Sequence, residues 1–159
     1  MKLVVGLGNP GREYSNTRHN AGHLFIEEIQ KSRLQGDFII KKTDTFMNES
    51  GKFVKKLIDK YKIDLPDLYV VHDDLDILLG NYKIQLGRGP KDHNGIASID
   101  SELGTDQYWR VRIGIDNRVN PASHEASRGK EYVLQNFTDE EREVLSGVLK
   151  KICKKLVTL

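Results

Sequence analysis

Apolar positions in this chain follow two rhythms that alternate along its length. Short runs with a continuous or two-residue pattern predict strands over residues 2–5, Phe38 to Lys41, Leu68 to Val71, Tyr82 to Leu86 and Tyr108 to Ile115. Leu3 to Val5 and Leu68 to Val71 are apolar throughout, as strands buried on both faces are. In the last strand Trp109, Val111, Ile113 and Ile115 share one face, and Arg110 and Arg112 share the other.

Spacings of three and four predict helices. Asn20 to Gln30 aligns Ala21, Leu24, Phe25, Ile26 and Ile29; Ser50 to Tyr61 aligns Phe53, Val54, Leu57, Ile58 and Tyr61. A short helix runs through Ile96, Ile99 and Leu103 and closes at Gly104. Thr138-Asp139-Glu140-Glu141 matches a capping box opening a final helix, with Val144, Leu145, Val148, Leu149, Ile152 and Leu156 inward. Gly87–Gly95 and the long polar stretch Asn117–Gly129 read as loops. Alternating strands and helices predict an α/β fold: one domain over residues 1–159, with a mixed β-sheet flanked by helices.

Composition narrows the class. The 159 residues are 38% hydrophobic and 30% charged, which suits a globular domain and not a disordered chain. No apolar run approaches the roughly 20 residues that span a bilayer. The start, Met1-Lys2-Leu3-Val4-Val5-Gly6, lacks the apolar stretch and cleavage site of a signal peptide, so a cytoplasmic location is expected. Cys153 stands alone, which excludes an internal disulfide and a cysteine-rich metal site; its place in an apolar stripe predicts core packing. A net charge of +2 does not by itself mark a nucleic-acid binder, so local arrangement has to make that case.

In α/β sheets, chemistry gathers beyond the carboxyl ends of the strands. The Gly6-Leu7-Gly8-Asn9-Pro10-Gly11 loop and His72-Asp73 both fall there. The loop satisfies the GxGxxG dinucleotide fingerprint, but Pro10 removes an N–H that should cradle pyrophosphate. The helical periodicity also begins too late, near Asn20, and Phe38-Ile39-Ile40 runs into lysines, not a ribose-binding acid. The loop is read instead as a tight turn that brings the Asn9 amide close to His19.

His19, in Thr17-Arg18-His19-Asn20-Ala21-Gly22, is the candidate base, because imidazole accepts a proton near neutral pH. A carboxylate on its far nitrogen would fix the tautomer, and Asp73 is better placed than Asp74 or Asp76. No nucleophilic Ser or Cys motif accompanies it, so the base would activate water. His72 with the three aspartates could instead bind a hard cation, but no second ligand cluster or HExxH spacing supports a metal. Asn48 and Asn94 each either cap a helix or donate to a substrate carbonyl. Phe46 and Met47 are either core or an apolar platform. Lys52, Lys55, Lys56 and Lys60 share a helix side that reads first as a solvated face. Arg110 and Arg112, with Lys83 nearby, suit phosphate contacts.

Taken together, these runs resemble the bacterial-type peptidyl-tRNA hydrolases. The resemblance rests on Val4 to Tyr14, Thr17 to Gly22, Thr45-Phe46-Met47-Asn48-Glu49-Ser50-Gly51, His72 to Asp76, His93-Asn94-Gly95 and Arg110 to Ile115, in the family's order along nearly the whole chain. It implies a monomeric hydrolase that cleaves the ester between a peptide and tRNA, recycles tRNA, and needs neither cofactor nor metal. In that reading His19 resembles the base, Asp73 its orienting carboxylate, and Asn9, Asn48 and Asn94 the positioning amides. Tyr14, Phe46 and Met47 resemble cleft walls, and Arg112, with Lys83, resembles a clamp on the tRNA 5′ phosphate. The chain departs from the pattern in a shortened segment near residues 26–44, where a strand or hairpin is trimmed. It also has Pro90 and Asp92 in the approach to Asn94, and Gln85 in place of a clamping lysine that Lys83, Arg88 or Lys91 could replace. The Asn117–Gly129 loop is a candidate lid. A non-catalytic RNA-binding relative on the same scaffold is the competing reading, and the intact His19–Asp73–Asn set argues against it.

Overall fold

A computed structural model describes residues 1–33, 36–90, 92–118 and 126–159, without the side chains of 126–128. Five strands form one sheet: β1 (Lys2–Gly6), β2 (Phe38–Lys42), β3 (Leu68–Leu78), β4 (Tyr82–Leu86) and β5 (Trp109–Asp116). Their order is β2-β1-β3-β5-β4. All neighbours are parallel except β4, which runs antiparallel to β5. The sheet is therefore mixed, as the strand–helix alternation predicts.

Five helices are described: α1 (Ala21–Ser32), α2 (Ser50–Tyr61), α3 (Asn94–Leu103), α4 (Ala126–Val133) and α5 (Asp139–Val157). Alternation along the central strands splits the core in two. Val4, Tyr69, Val71, Val111, Ile113 and Ile115 pack with α1 and α5 residues such as Phe25, Ile29, Leu145 and Ile152. Leu3, Val5, Leu68 and Val70 face the other way, against Val54 of α2 and Ile96 and Ile99 of α3. Cys153 is buried in the first of these clusters, as its stripe position predicts.

The glycine loop serves packing. A Cβ on Gly22, in the first turn of α1, would lie 2.4 Å from the Val71 carbonyl oxygen and 2.6 Å from the Leu7 backbone. A Cβ on Gly6 would lie 2.3 Å from the Gly22 carbonyl oxygen. Glycine at both positions lets α1 press directly onto the end of β1 and the body of β3. This contact sets the start of α1, and with it His19, against the middle of β3. The chain reaches α1 through 3-10 turns at Arg12–Tyr14 and Arg18–Asn20, so no long helix opens at Gly11.

Three expectations need correction. β3 does not stop at Val71 but continues to Leu78, carrying His72, Asp73 and Asp74 inside the ladder opposite Arg112, Ile113 and Gly114. Those polar residues fit a buried strand because each carboxylate finds a partner there. Asn94 and Gly95 belong to α3, not to the preceding loop. The stretch read as a loop over Asn117–Gly129 ends in α4 from Ala126 onward; its residues 119–125 lie outside the described residues, and so does any lid they would form.

Candidate active site

Asp73 is the hub of the site. It is buried midway along the sheet's central strand, and both its carboxylate oxygens accept from imidazoles. Oδ2 lies 2.7 Å from His19 Nδ1, and Oδ1 lies 2.8 Å from His93 Nε2. Burial alone would favour the neutral acid, but the two imidazoles and their hydrogen bonds hold the carboxyl well below the usual carboxylate range.

The backbone of α3 decides the tautomer of His93. His93 is the N-cap of that helix, and its Nδ1 accepts from the N–H groups of Gly95 at 3.1 Å and Ile96 at 3.2 Å. With Nδ1 an acceptor, the proton sits on Nε2, which donates to Asp73. One side chain thus caps a helix and orients the carboxylate. Sequence reasoning missed this residue and looked to Asn94 as a possible cap. The signal available was position: a histidine directly before the first turn of a helix.

His19 donates through Nδ1 to Asp73, which leaves Nε2 as the proton-accepting nitrogen. Burial of the ring would lower its pKa, but the charge of Asp73 and the hydrogen bond to it outweigh burial and raise the pKa above 6.5. The His93 ring lies 5.0 Å from His19 on one side and 5.1 Å from fully buried His72 on the other. His72 donates from Nδ1 to the Asp73 carbonyl oxygen at 2.7 Å, and burial, the largest cause, lowers its pKa to about 3. It is a neutral structural ring.

His19 lines a cleft of about 410 Å³. Among the described residues the cleft is also lined by Asn9, Phe46, Met47, Asn48, Asn94, Lys130, Val133 and Leu134. The structure therefore brings together the histidine and all three asparagines singled out from sequence. Asn9 is held firmly. Its N–H donates to Asn20 Oδ1, its carbonyl accepts from Asn20 Nδ2, both at 2.9 Å, and its Oδ1 accepts from the Met47 N–H at 2.8 Å. The amide is thereby oriented with Nδ2 as the donor left over. Asn20 was not foreseen in this role. Asn48 and Asn94 are exposed and cap nothing: α2 has Glu49 at its N-cap without a side-chain bond, and α3 has His93. Exposed Phe46 stands edge-on to Tyr14, centroids 6.3 Å apart, while Met47 is buried beneath. Lys130, Val133 and Leu134 were missed by sequence reasoning, which assigned no element between the Asn117–Gly129 loop and Thr138.

The cluster expected as a metal alternative does not converge. Asp74 turns toward Arg112, whose Nε donates to its Oδ2 at 2.6 Å, and Asp76 is exposed. One atom each from His19, Asp73 and His93 could meet an ion, all within 4.8 Å of one another, but both Asp73 oxygens are already used by the rings.

Arg112 differs from the expected phosphate clamp. It is buried, and Nη1 donates to Gln85 at 2.6 Å in addition to the Asp74 bond. Arg110 is likewise buried, bonded to Asp100 at 3.0 Å and to the Gly89 carbonyl. Lys83 pairs in register with Arg112 across β4 and β5 and is exposed, as are Arg88 and Asp92. Lys91 lies outside the described residues.

Comparison with known proteins places the chain in a family. The family model described as peptidyl-tRNA hydrolase matches residues 3–159. A peptidyl-tRNA hydrolase of Bacillus cereus (strain Q1) is 41% identical over 159 residues, covering 89% of this chain and 83% of the relative. One from Desulfitobacterium hafniense (strain Y51) is 39% identical over 168 residues, covering 95% and 88%. The crystal structure of peptidyl-tRNA hydrolase from Acinetobacter baumannii superposes with a TM-score of 0.85 at 29% identity, covering 100% of this chain and 87% of that one. A hydrogenase maturation protease from Thermococcus kodakarensis, 14% identical with a TM-score of 0.54, shares the fold alone. With the match running from residue 3 to the last residue, the chain belongs to the peptidyl-tRNA hydrolase family.

Proposed function

We propose that the chain hydrolyses the ester joining a peptide to tRNA, the reaction of its family, with His19 as the base. The observation that carries this reading is the 2.7 Å His19–Asp73 bond at the floor of a cleft that three asparagines also line. His19 Nε2 takes a proton from water as the water oxygen attacks the ester carbonyl. Negative charge moves onto the carbonyl oxygen, where amide donors of the cleft stabilise it; Asn9, already oriented by three hydrogen bonds, is the best prepared. Collapse breaks the bond to the ribose oxygen, which receives the proton from the His19 imidazolium. The products are a peptide carboxylate and tRNA with a free terminal hydroxyl. An alkoxide leaves more readily than an amine, so a base with amide donors suffices without a covalent intermediate.

The remaining cleft residues divide the substrate. Asn48 and Asn94 contact the peptide backbone and the tRNA end, and Tyr14, Phe46 and Met47 wall the peptide side. Lys83 supplies a phosphate contact on the exposed face of β4, with Arg112 bracing the strand behind it. No helix among the described residues is long and apolar enough to cross a membrane. The chain acts as a monomer in the cytoplasm, without a cofactor.

The test is incubation with N-acetyl-aminoacyl-tRNA and, separately, with the same tRNA carrying a free aminoacyl group. Release from the acetylated form, lost in His19→Ala while tRNA binding persists, is the expected result. Binding without release by the folded wild-type protein would replace the hydrolase with an RNA-binding function.

A further inference from the structure

Part of the cleft is lined by α4 and the residue that follows it, and the chemistry there is uneven. Lys130 and Val133, three apart on α4, and Leu134 just past its end all border the cleft. The other described lining residues are asparagines, apolar side chains and His19, which is the neutral partner in its working state. Lys130 is therefore the one permanent charge among the described lining residues. It forms no hydrogen bond or ion pair with any described residue. Lys130 is exposed, and it borders the same cleft as the base, beside apolar side chains.

We propose that Lys130 makes the cleft selective for peptides with an acidic side chain near the scissile ester. This rests on the ester-hydrolase reading and names the substrate class within it. The argument is one of complementarity. The apolar walls of Phe46, Met47, Val133 and Leu134 accept the aliphatic part of a glutamyl or aspartyl side chain, and the ammonium meets its carboxylate. A lysyl or arginyl side chain in the same place meets like charge and is disfavoured. The peptide and not the tRNA backbone is the assigned partner because Lys130 borders the cleft beside Val133 and Leu134, whose apolar surface suits side chains better than phosphates.

The test compares kcat/KM for N-acetyl-glutamyl and N-acetyl-glutaminyl esters prepared on one tRNA, in low salt, for wild type, Lys130→Met, Lys130→Glu and Lys130→Arg. Wild type is expected to prefer the glutamyl ester by about two- to fivefold, the scale of a solvent-accessible ion pair. The preference should shrink as salt rises. It should persist in Lys130→Arg, vanish in Lys130→Met and reverse in Lys130→Glu. A ratio that is the same in all four proteins overturns the proposal. So does an equal loss on both esters in Lys130→Met, which would place the ammonium against the tRNA backbone. Robust hydrolysis with a flat ratio removes only this inference; hydrolysis of neither ester by wild type removes the enzymatic reading together with it.

Discussion

Asp73 and Asp74 are neighbours on one strand, both buried, and they serve opposite ends. Asp73 lies between two imidazoles, one of which reaches the cleft. Asp74 turns into the β3–β5–β4 side of the sheet, where Arg112 and Gln85 complete a closed set of bonds. The strand's two-residue alternation makes this difference: a single step along β3 moves a carboxylate from the reacting side to the bracing side. The comparison shows why composition is a poor guide here. Two like residues in sequence gain their roles from what the next element presents, a histidine before α3 in one case and an arginine on β5 in the other.

The comparison can be broken at each end. On the reacting side, Asp73→Ala removes the group that fixes the His19 tautomer, and kcat should fall on the order of 10²–10⁴-fold, with little change in tRNA affinity. A single-turnover assay beside a binding assay checks this. On the bracing side, Arg112→Met leaves Asp74 buried without its partner. Loss of one member of a buried pair costs about 3–5 kcal/mol, so a melt should show a large drop in Tm, with catalysis per folded molecule much less affected. An unchanged Tm with a raised KM would return Arg112 to the phosphate clamp.

A smaller effect belongs to the helix that backs the site. Thr138 Oγ1 accepts from the Glu141 N–H, and Glu141 Oε1 accepts from the Thr138 N–H and from Arg18, next to His19. Thr138→Ala should cost about 1 kcal/mol in a denaturant titration, the worth of a helix cap. The smallest effect is at Lys83. Lys83→Ala should leave kcat alone and reduce the salt slope of tRNA binding by about one phosphate contact.

Much of this was legible in the chain. The α2 boundaries, the Thr138 capping box and the Gly104 stop follow from local chemistry, and the structure reproduces them. The His19–Asp73 pairing was legible as one candidate beside a cation site, and the resemblance of six ordered runs to the family singled it out. The continuation of β3 was not, because a run of His72-Asp73-Asp74 looks like the end of a strand until its partners are known. His93 was hidden for a related reason: its role depends on α3 backbone N–H groups that fix its tautomer, and no spacing rule reports that. α4 was missed because Ser127, Arg128, Lys130 and Glu131 swamp its few apolar residues. It is also the wall that carries Lys130, so the least legible helix holds the substrate preference proposed here.

The central claim is that Asp73 sets His19 as the base, and its pH–rate profile tests this most directly. Only neutral His19 can accept a proton, so kcat/KM on N-acetyl-aminoacyl-tRNA should fall as pH drops through a pKa that Asp73 holds above 6.5. In Asp73→Asn the raising charge is gone and burial remains, so the acid limb should move to lower pH while the plateau falls. An acid limb that stays in place in Asp73→Asn would show that His19 does not titrate against Asp73, and would contradict the account.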